Sequence, residues 1–254
     1  PLYIRLRAKL ASGLTCYSNT IQTTVKPFFA VLVAADPELW YLIGACVGDG
    51  SWGSAIGTAV YPMSPVEGGD FNDETGRGPL TFTGYFTPDL GFKIVRVPGE
   101  WADQWGGVDG SIDNPKRKDD SGEGGDFKVP VAGYYRIDLN TNTNELKFTA
   151  LEEDPKEYSQ MLVSGGFNGW ATDVQMTPCD TYAGARPHVW MYDISTTDGT
   201  ELKFLVDSSW NPNWGNSTFP FGWGVGNGPN IPVGAGDYRV IFNDITGYYH
   251  FFNK

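Results

Sequence analysis

The chain is poor in the residues from which reactive centres are built. It has two histidines and three cysteines. His188 and His250 belong to no Ser-His-Asp arrangement, and no nucleophile elbow occurs. Cys16, Cys46 and Cys179 cannot all pair with one another and lack metal-ligand spacing, which argues against a disulfide scaffold and a zinc site and for small hydrophobic residues awaiting burial. Basic charge is scarce too: 18 Lys and Arg stand against 30 Asp and Glu, a net charge of −12. Nucleic-acid binding draws on Lys and Arg that displace counterions from phosphates, so nucleic acid is not an expected partner. No run of about 18 apolar residues is present to span a membrane, and there is no signal peptide. The opening on Pro1, directly into a strand pattern, reads as a fragment whose targeting segment has been removed.

What the chain does have is glycine, proline and aromatic side chains. Of 254 residues, 33 are Gly and 17 Pro, with 15% aromatic and only 19% charged. That balance predicts turn-rich antiparallel β structure and little helix. The length exceeds one ordinary domain and suits two modules of roughly 100 residues plus a remnant of a third. Charge is segmented accordingly: residues 1–35 carry four bases and no acid, 36–153 nine and twenty, 154–254 five and ten.

Residues 2–8 alternate apolar and polar, turn at Ser12-Gly13 and resume over 20–25, the pattern of the last two strands of a sandwich. Beyond them, two stretches repeat one order of elements. Tyr41-Leu42-Ile43-Gly44 leads to a glycine turn ending at Trp52, and Met161-Leu162-Val163-Ser164 to one ending at Trp170. Met63-Ser64-Pro65 matches Met176-Thr177-Pro178, and strands over 80–86 and 188–194 follow. Gly91-Phe92-Lys93-Ile94-Val95 matches Glu201-Leu202-Lys203-Phe204-Leu205. Tryptophans four apart come next, Trp101 with Trp105 and Trp210 with Trp214, and each copy closes on an aromatic strand. The expected fold is all-β, with β-sandwiches in tandem. The first copy holds an extra segment, 106–125, rich in Gly and Asp, whose composition predicts a mobile surface loop.

Nine tryptophans exceed what two small cores require. A sugar ring offers a face of C–H groups and a rim of hydroxyls, so its site needs a flat aromatic surface and a few donors and acceptors. In the second copy, Trp170, Lys203, Trp210 and Asn230 make such a set if Lys203 ends a strand pointing outward and Trp210 lies beyond the following turn. In the first, Trp52, Lys93 and Trp101 correspond, with a lysine-to-tryptophan spacing of eight rather than seven. Asp126 falls where Asn230 would be, and an ionised aspartate accepts hydrogen bonds without donating. Trp105 and Trp214 are further candidates. Trp40, Trp190, Trp223, Tyr135 and Tyr238 are assigned to packing.

Phe167-Asn168-Gly169-Trp170, then Leu202 through Asp207 ahead of Trp210, then Gly228-Pro229-Asn230-Ile231, resemble the glycogen-binding module of AMP-activated kinase β subunits and of starch-branching and debranching enzymes. In that family two tryptophans, the lysine between them and a late asparagine contact the glucan, roles the resemblance maps onto Trp170, Trp210, Lys203 and Asn230. The whole layout resembles the SusE/SusF surface glycan-binding lipoproteins of Bacteroidetes, in which an immunoglobulin-like domain precedes tandem starch-binding modules. This resemblance implies tandem immunoglobulin-like carbohydrate-binding modules and these boundaries: 1–28, the end of an immunoglobulin-like domain; 29–36, a linker; 37–150, a first module; 151–158, a linker; 159–254, a second. It implies non-catalytic binding of a polysaccharide, most readily an α-glucan, at the outer-membrane surface beside glycan-uptake machinery. Membrane contact would be made only through a lipid anchor outside this sequence, and no cofactor or metal is called for.

Two other functions suit parts of the sequence. A glycoside hydrolase needs two carboxylates about 5–10 Å apart, but no acid recurs at equivalent positions of the two grooves. An adhesion module could hold calcium through Asp109, Asp113, Asp119, Asp120, Glu123 and Asp126, yet their spacing fits no EF-hand loop.

Overall fold

In the computed structural model, which describes residues 1–24 and 34–254, the chain is all-β, with two single-turn 3-10 segments and no α-helix among the described residues. It divides into two compact units, Pro1–Ala34 and Ala35–Lys254.

The first unit is an interrupted hairpin. Leu2–Ile4 pairs with Ile21–Thr23, and Arg7–Lys9 with Thr15–Tyr17. Every described residue of it is exposed, Cys16 included, because two strand pairs enclose no core. The strand expected over 20–25 runs to Thr23; Val25 and the boundary between 1–28 and 29–36 lie outside the described residues.

In the second unit the strands are β1 (Tyr41–Gly44), β2 (Val60–Pro62), β3 (Ser64–Pro65), β4 (Pro79–Phe86), β5 (Phe92–Val95), β6 (Gln104–Gly107), β7 (Pro115–Arg117), β8 (Gly133–Asn140) and β9 (Glu145–Ala150). They make a five-stranded sheet, β7-β6-β5-β1-β2, and a four-stranded one, β9-β8-β4-β3. There follow β10 (Leu162–Gly165), β11 (Thr177–Pro178), β12 (Val189–Thr196), β13 (Thr200–Leu205), β14 (Asn213–Gly215), β15 (Phe221–Trp223), β16 (Val225–Gly226), β17 (Ile231–Val233), β18 (Gly236–Asn243) and β19 (Tyr248–Asn253). These form β10-β13-β14-β16, with β17 also on β13, and β11-β12-β18-β19-β15. The order β6-β5-β1 beside β8-β4-β3 in the first half thus recurs as β14-β13-β10 beside β18-β12-β11 in the second. Alternation sets which side chains face the core: in β13 Leu202 and Phe204 turn inward while Lys203 between them faces out, as period-2 geometry requires.

One core joins Trp40, Leu42, Phe82, Phe86, Phe92, Phe127 and Ile137, and a second joins Val163, Trp190, Phe204, Val240, Phe242 and Tyr249. The first core also takes in Cys179, Val189 and Ile241, so the two halves share buried surface. Polar groups cross the same boundary. The Tyr134 hydroxyl lies 2.9 Å from Nε2 of His188, which is itself held by Asp244 within the second half (Nδ1 at 2.6 Å), and Asn243 Nδ2 donates to the Thr83 carbonyl at 3.2 Å.

The segment over 106–125 is ordered, contrary to its composition. β7 pairs with β6, and bridges join Gly107 to Gly125 and Asp119 to Gly122. Its glycines serve close backbone approach: a Cβ on Gly106 would lie 2.4 Å from the Gly125 carbonyl oxygen.

Candidate functional site

Register makes the two halves comparable residue by residue. Lys93 faces Ile43 across β5 and β1, and Lys203 faces Ser164 across β13 and β10. Two residues on, Val95 pairs with Gln104 and Leu205 with Asn213. Phe92 bridges to Phe127 and Leu202 to Ile231, which sets Asp126 and Asn230 in equivalent places.

Each half brings two tryptophans together. The Trp52 and Trp101 ring centroids are 6.1 Å apart with 42° between planes. Those of Trp170 and Trp210 are 6.1 Å apart at 45°. Trp101 and Trp170 are exposed, and Trp52 and Trp210 partly so. Trp52, Trp170 and Trp210 have left-handed backbone, φ 59°, 64° and 60°. Bulky residues avoid that region, so a local fold that imposes it on three tryptophans is aiming their side chains. Trp101 lacks the strain because the first copy has one more residue in this turn, with Gly99 at φ 83° taking the left-handed position.

Behind each pair sits an amide that pattern reading missed. Asn213 Nδ2 donates to the Trp210 carbonyl (2.6 Å) and to Asn227 Oδ1 (2.8 Å), while its Oδ1 accepts from Lys203 Nζ at 3.1 Å. Gln104 Nε2 donates likewise to the Trp101 carbonyl (2.8 Å) and to Glu123 (3.0 Å). Both amides lie three residues after a tryptophan, the spacing that could have revealed them. Glu123 takes the place of Asn227, and its bond to Lys118 holds its carboxyl below the usual range. Gln104 Oε1 is buried with no hydrogen-bond partner among the described residues.

The lysines diverge. Lys203 lies inside β13 rather than at its end, and is half-buried. Its ammonium spends one of three donors on Asn213. Lys93 is only 6% exposed, its Nζ donating to the Gly124 carbonyl at 2.6 Å, so the first site has no outward lysine at this position. The segment that covers it supplies another: Lys118 Nζ donates to the Trp101 carbonyl (3.0 Å) and pairs with Glu123 (3.0 Å). Asn230 Nδ2 donates to Glu201 (2.9 Å), which with Trp170, Asp198 and Thr200 lines an open groove of about 550 Å³. Asp126 is exposed.

Trp105 and Trp214 are not part of either pair. Trp105 is 5% exposed within the first core. Trp214 packs against the second, its ring 5.7 Å from Phe242 and 5.8 Å from Tyr158. Each is one residue past the amide, on the opposite face of its strand, which is why a four-residue spacing leads inward. Trp190 is buried with Nε1 donating to Asp244 at 2.7 Å, and Trp40 is buried as well. Among the described residues no three His, Cys, Asp or Glu side chains gather where they could hold a metal ion.

Fold and surface together define an all-β protein carrying the same tilted tryptophan pair twice. No protein-family model matches the chain, and no curated protein matches it. Among solved structures it is similar to SusF from Bacteroides thetaiotaomicron, at 16% identity and a TM-score of 0.32. That match covers 99% of this chain and 58% of the other.

Proposed function

We propose that the chain binds a polysaccharide without cleaving it, through the pairs Trp52/Trp101 and Trp170/Trp210, and that residues 37–150 and 159–254 are two modules built for this. The observation that carries the reading is the repetition of one exposed aromatic geometry, 6.1 Å and 42° in one half, 6.1 Å and 45° in the other. Core packing has no reason to conserve a surface pair while the residues around it change.

The tilt speaks for an α-glucan. A flat, ribbon-like chain stacks best on coplanar rings, whereas successive sugars of a curved chain present their C–H faces at an angle. Lys203, Asn230 and Glu201 in one site, and Lys118, Glu123 and Asp126 in the other, supply donors and acceptors for hydroxyls at the rim. The duplicated sites contain no recurring carboxylate pair, which favours capture over hydrolysis. The resemblance of its motifs to those of surface glycan-binding lipoproteins supports a place at the outer membrane, where capture would feed uptake.

The test is retention of the intact chain in native gels containing amylose, with cellulose-type and mannan polymers as comparators and an assay for released sugar. Retention by amylose with no sugar release is expected. Free mobility in every gel would sink the reading, and sugar release would replace it with an enzyme.

A further inference from the structure

The turn that carries Trp170 holds itself. The Trp170 amide donates to the Gly165 carbonyl at 2.8 Å. Asn168 accepts from the Gly165 amide (3.0 Å) and donates to the Ala171 carbonyl (3.0 Å). Among the described residues, no side chain of the first half bonds to it.

The loop that carries Trp52, residues 45–59, is built otherwise, because it lies on the second half. The Gly48 amide donates to Asp180 Oδ1 at 3.0 Å, and the Gly48 carbonyl accepts from the Thr181 amide at 2.9 Å. The same Asp180 oxygen accepts from the Tyr61 hydroxyl at 2.7 Å. One carboxylate thus ties the chain ahead of Trp52 to the strand beyond it. Arg239 Nη1 donates to the Ile56 carbonyl at 3.0 Å, and is itself held by Asp193 through two bonds of 2.7 and 2.8 Å. Gly57 approaches so closely that a Cβ there would stand 2.8 Å from Ile241 Cδ1. Loop backbone otherwise exposed to water is fixed at two points by side chains more than a hundred residues away.

We infer that Asp180 and Arg239 are positioning residues for the first aromatic pair: they hold the loop in the form that sets Trp52 beside Trp101, so the first site is complete only with the second half docked against it. The dependence runs one way. This rests on the pairs being the polysaccharide sites, but the loop's dependence on Asp180 can be measured without any ligand.

The experiment uses the full chain in two backgrounds, Trp210→Ala, which leaves only the first pair, and Trp101→Ala, which leaves only the second. Maltoheptaose binding is followed by calorimetry at neutral pH. Asp180→Ala should weaken binding about tenfold or more in the first background, the scale of losing one or two buried hydrogen bonds, and leave the second unchanged. Asp180→Asn keeps an oxygen acceptor for Gly48 and Tyr61 and should restore most of the loss. Arg239→Gln, which leaves no buried carboxylate partner unmet, should give a smaller loss confined to the first background. Equal affinity of Asp180→Ala and its parent at the first site would overturn the inference, as would equal losses in both backgrounds. If wild type itself binds no maltoheptaose, the functional reading fails, and hydrogen exchange decides the positioning. Faster exchange across 45–59 in Asp180→Ala, with 165–171 unchanged, supports it; unchanged protection of 45–59 refutes it.

Discussion

At the scale of single residues, the tryptophans sort by backbone and depth. Trp52, Trp170 and Trp210 occupy left-handed backbone that a Cβ makes costly, about 1–2 kcal/mol per residue. Trp170→Gly should therefore be more stable than Trp170→Ala by about 1 kcal/mol in urea unfolding, although both lose amylose retention. Equal stabilities would mean that the left-handed backbone at Trp170 is not strained. Trp105→Ala opens a cavity in the first core and should cost about 3–5 kcal/mol. The remaining folded protein should keep Trp101-dependent binding, the reverse of what Trp101→Ala does.

Asp180 supplies the pH dependence at this scale. Burial pushes its carboxyl from an unfolded value of 3.8 up to about 7, against the pull of its bonds from Tyr61 and Gly48 and the charge of His188. Tyr182, Cys46 and Cys179 also face it, all neutral near pH 7, their own pKa values raised by burial. A group whose folded pKa is raised binds its proton more tightly in the folded state, so its contribution is full below pH 4 and is lost as pH rises through 7. His250 works in the opposite sense: burial lowers it to about 4, so the fold is penalised as pH falls from 6.5 toward 4. The difference in unfolding free energy between wild type and Asp180→Asn should thus shift against wild type between about pH 4 and 7 and level off above. A flat difference profile would place the carboxylate in water.

At the scale of elements, β1 with β5 and β10 with β13 approach so closely that Gly44 and Gly165 admit no side chain. A Cβ on Gly165 would stand 2.1 Å from the Glu201 carbonyl oxygen, and one on Gly44 2.5 Å from that of Gly91. Gly165→Ala should part β10 from β13, lower the urea midpoint and weaken the second site, since Trp170 hangs from the Gly165 carbonyl. An unchanged midpoint would show that the strands separate at no cost. The equivalence of Lys93 with Lys203 and of Asp126 with Asn230 was legible in the sequence, because strand periodicity and short glycine turns preserve local order. Gln104 and Asn213 show only a three-residue spacing from a tryptophan in the sequence, and that spacing gains meaning once a strand register turns the amide toward the pair and its neighbouring tryptophan inward. The burial of Lys93 was equally invisible. It depends on the 106–125 segment folding back, and a Gly- and Asp-rich composition reads as solvated until its backbone finds β6.

At the scale of the whole molecule, the two sites proposed here, carried on one compact unit, predict a preference for a long polymer over a short one. Removing either pair should reduce apparent affinity for amylose by about a hundredfold, while changing total maltoheptaose capacity only by half. Equal proportional losses for both ligands would mean that the two pairs act independently. The sequence by itself determined the β class and the repeated order of glycine turn, lysine strand and tryptophan in both halves, because period-2 alternation and turn residues are local properties. Only the tertiary structure decided that Trp105 and Trp214 point inward, that Lys93 is covered, and that the loop of Trp52 leans on Asp180 and Arg239. Those outcomes depend on contacts between residues far apart in the chain, and no local pattern encodes which distant partner a loop will meet.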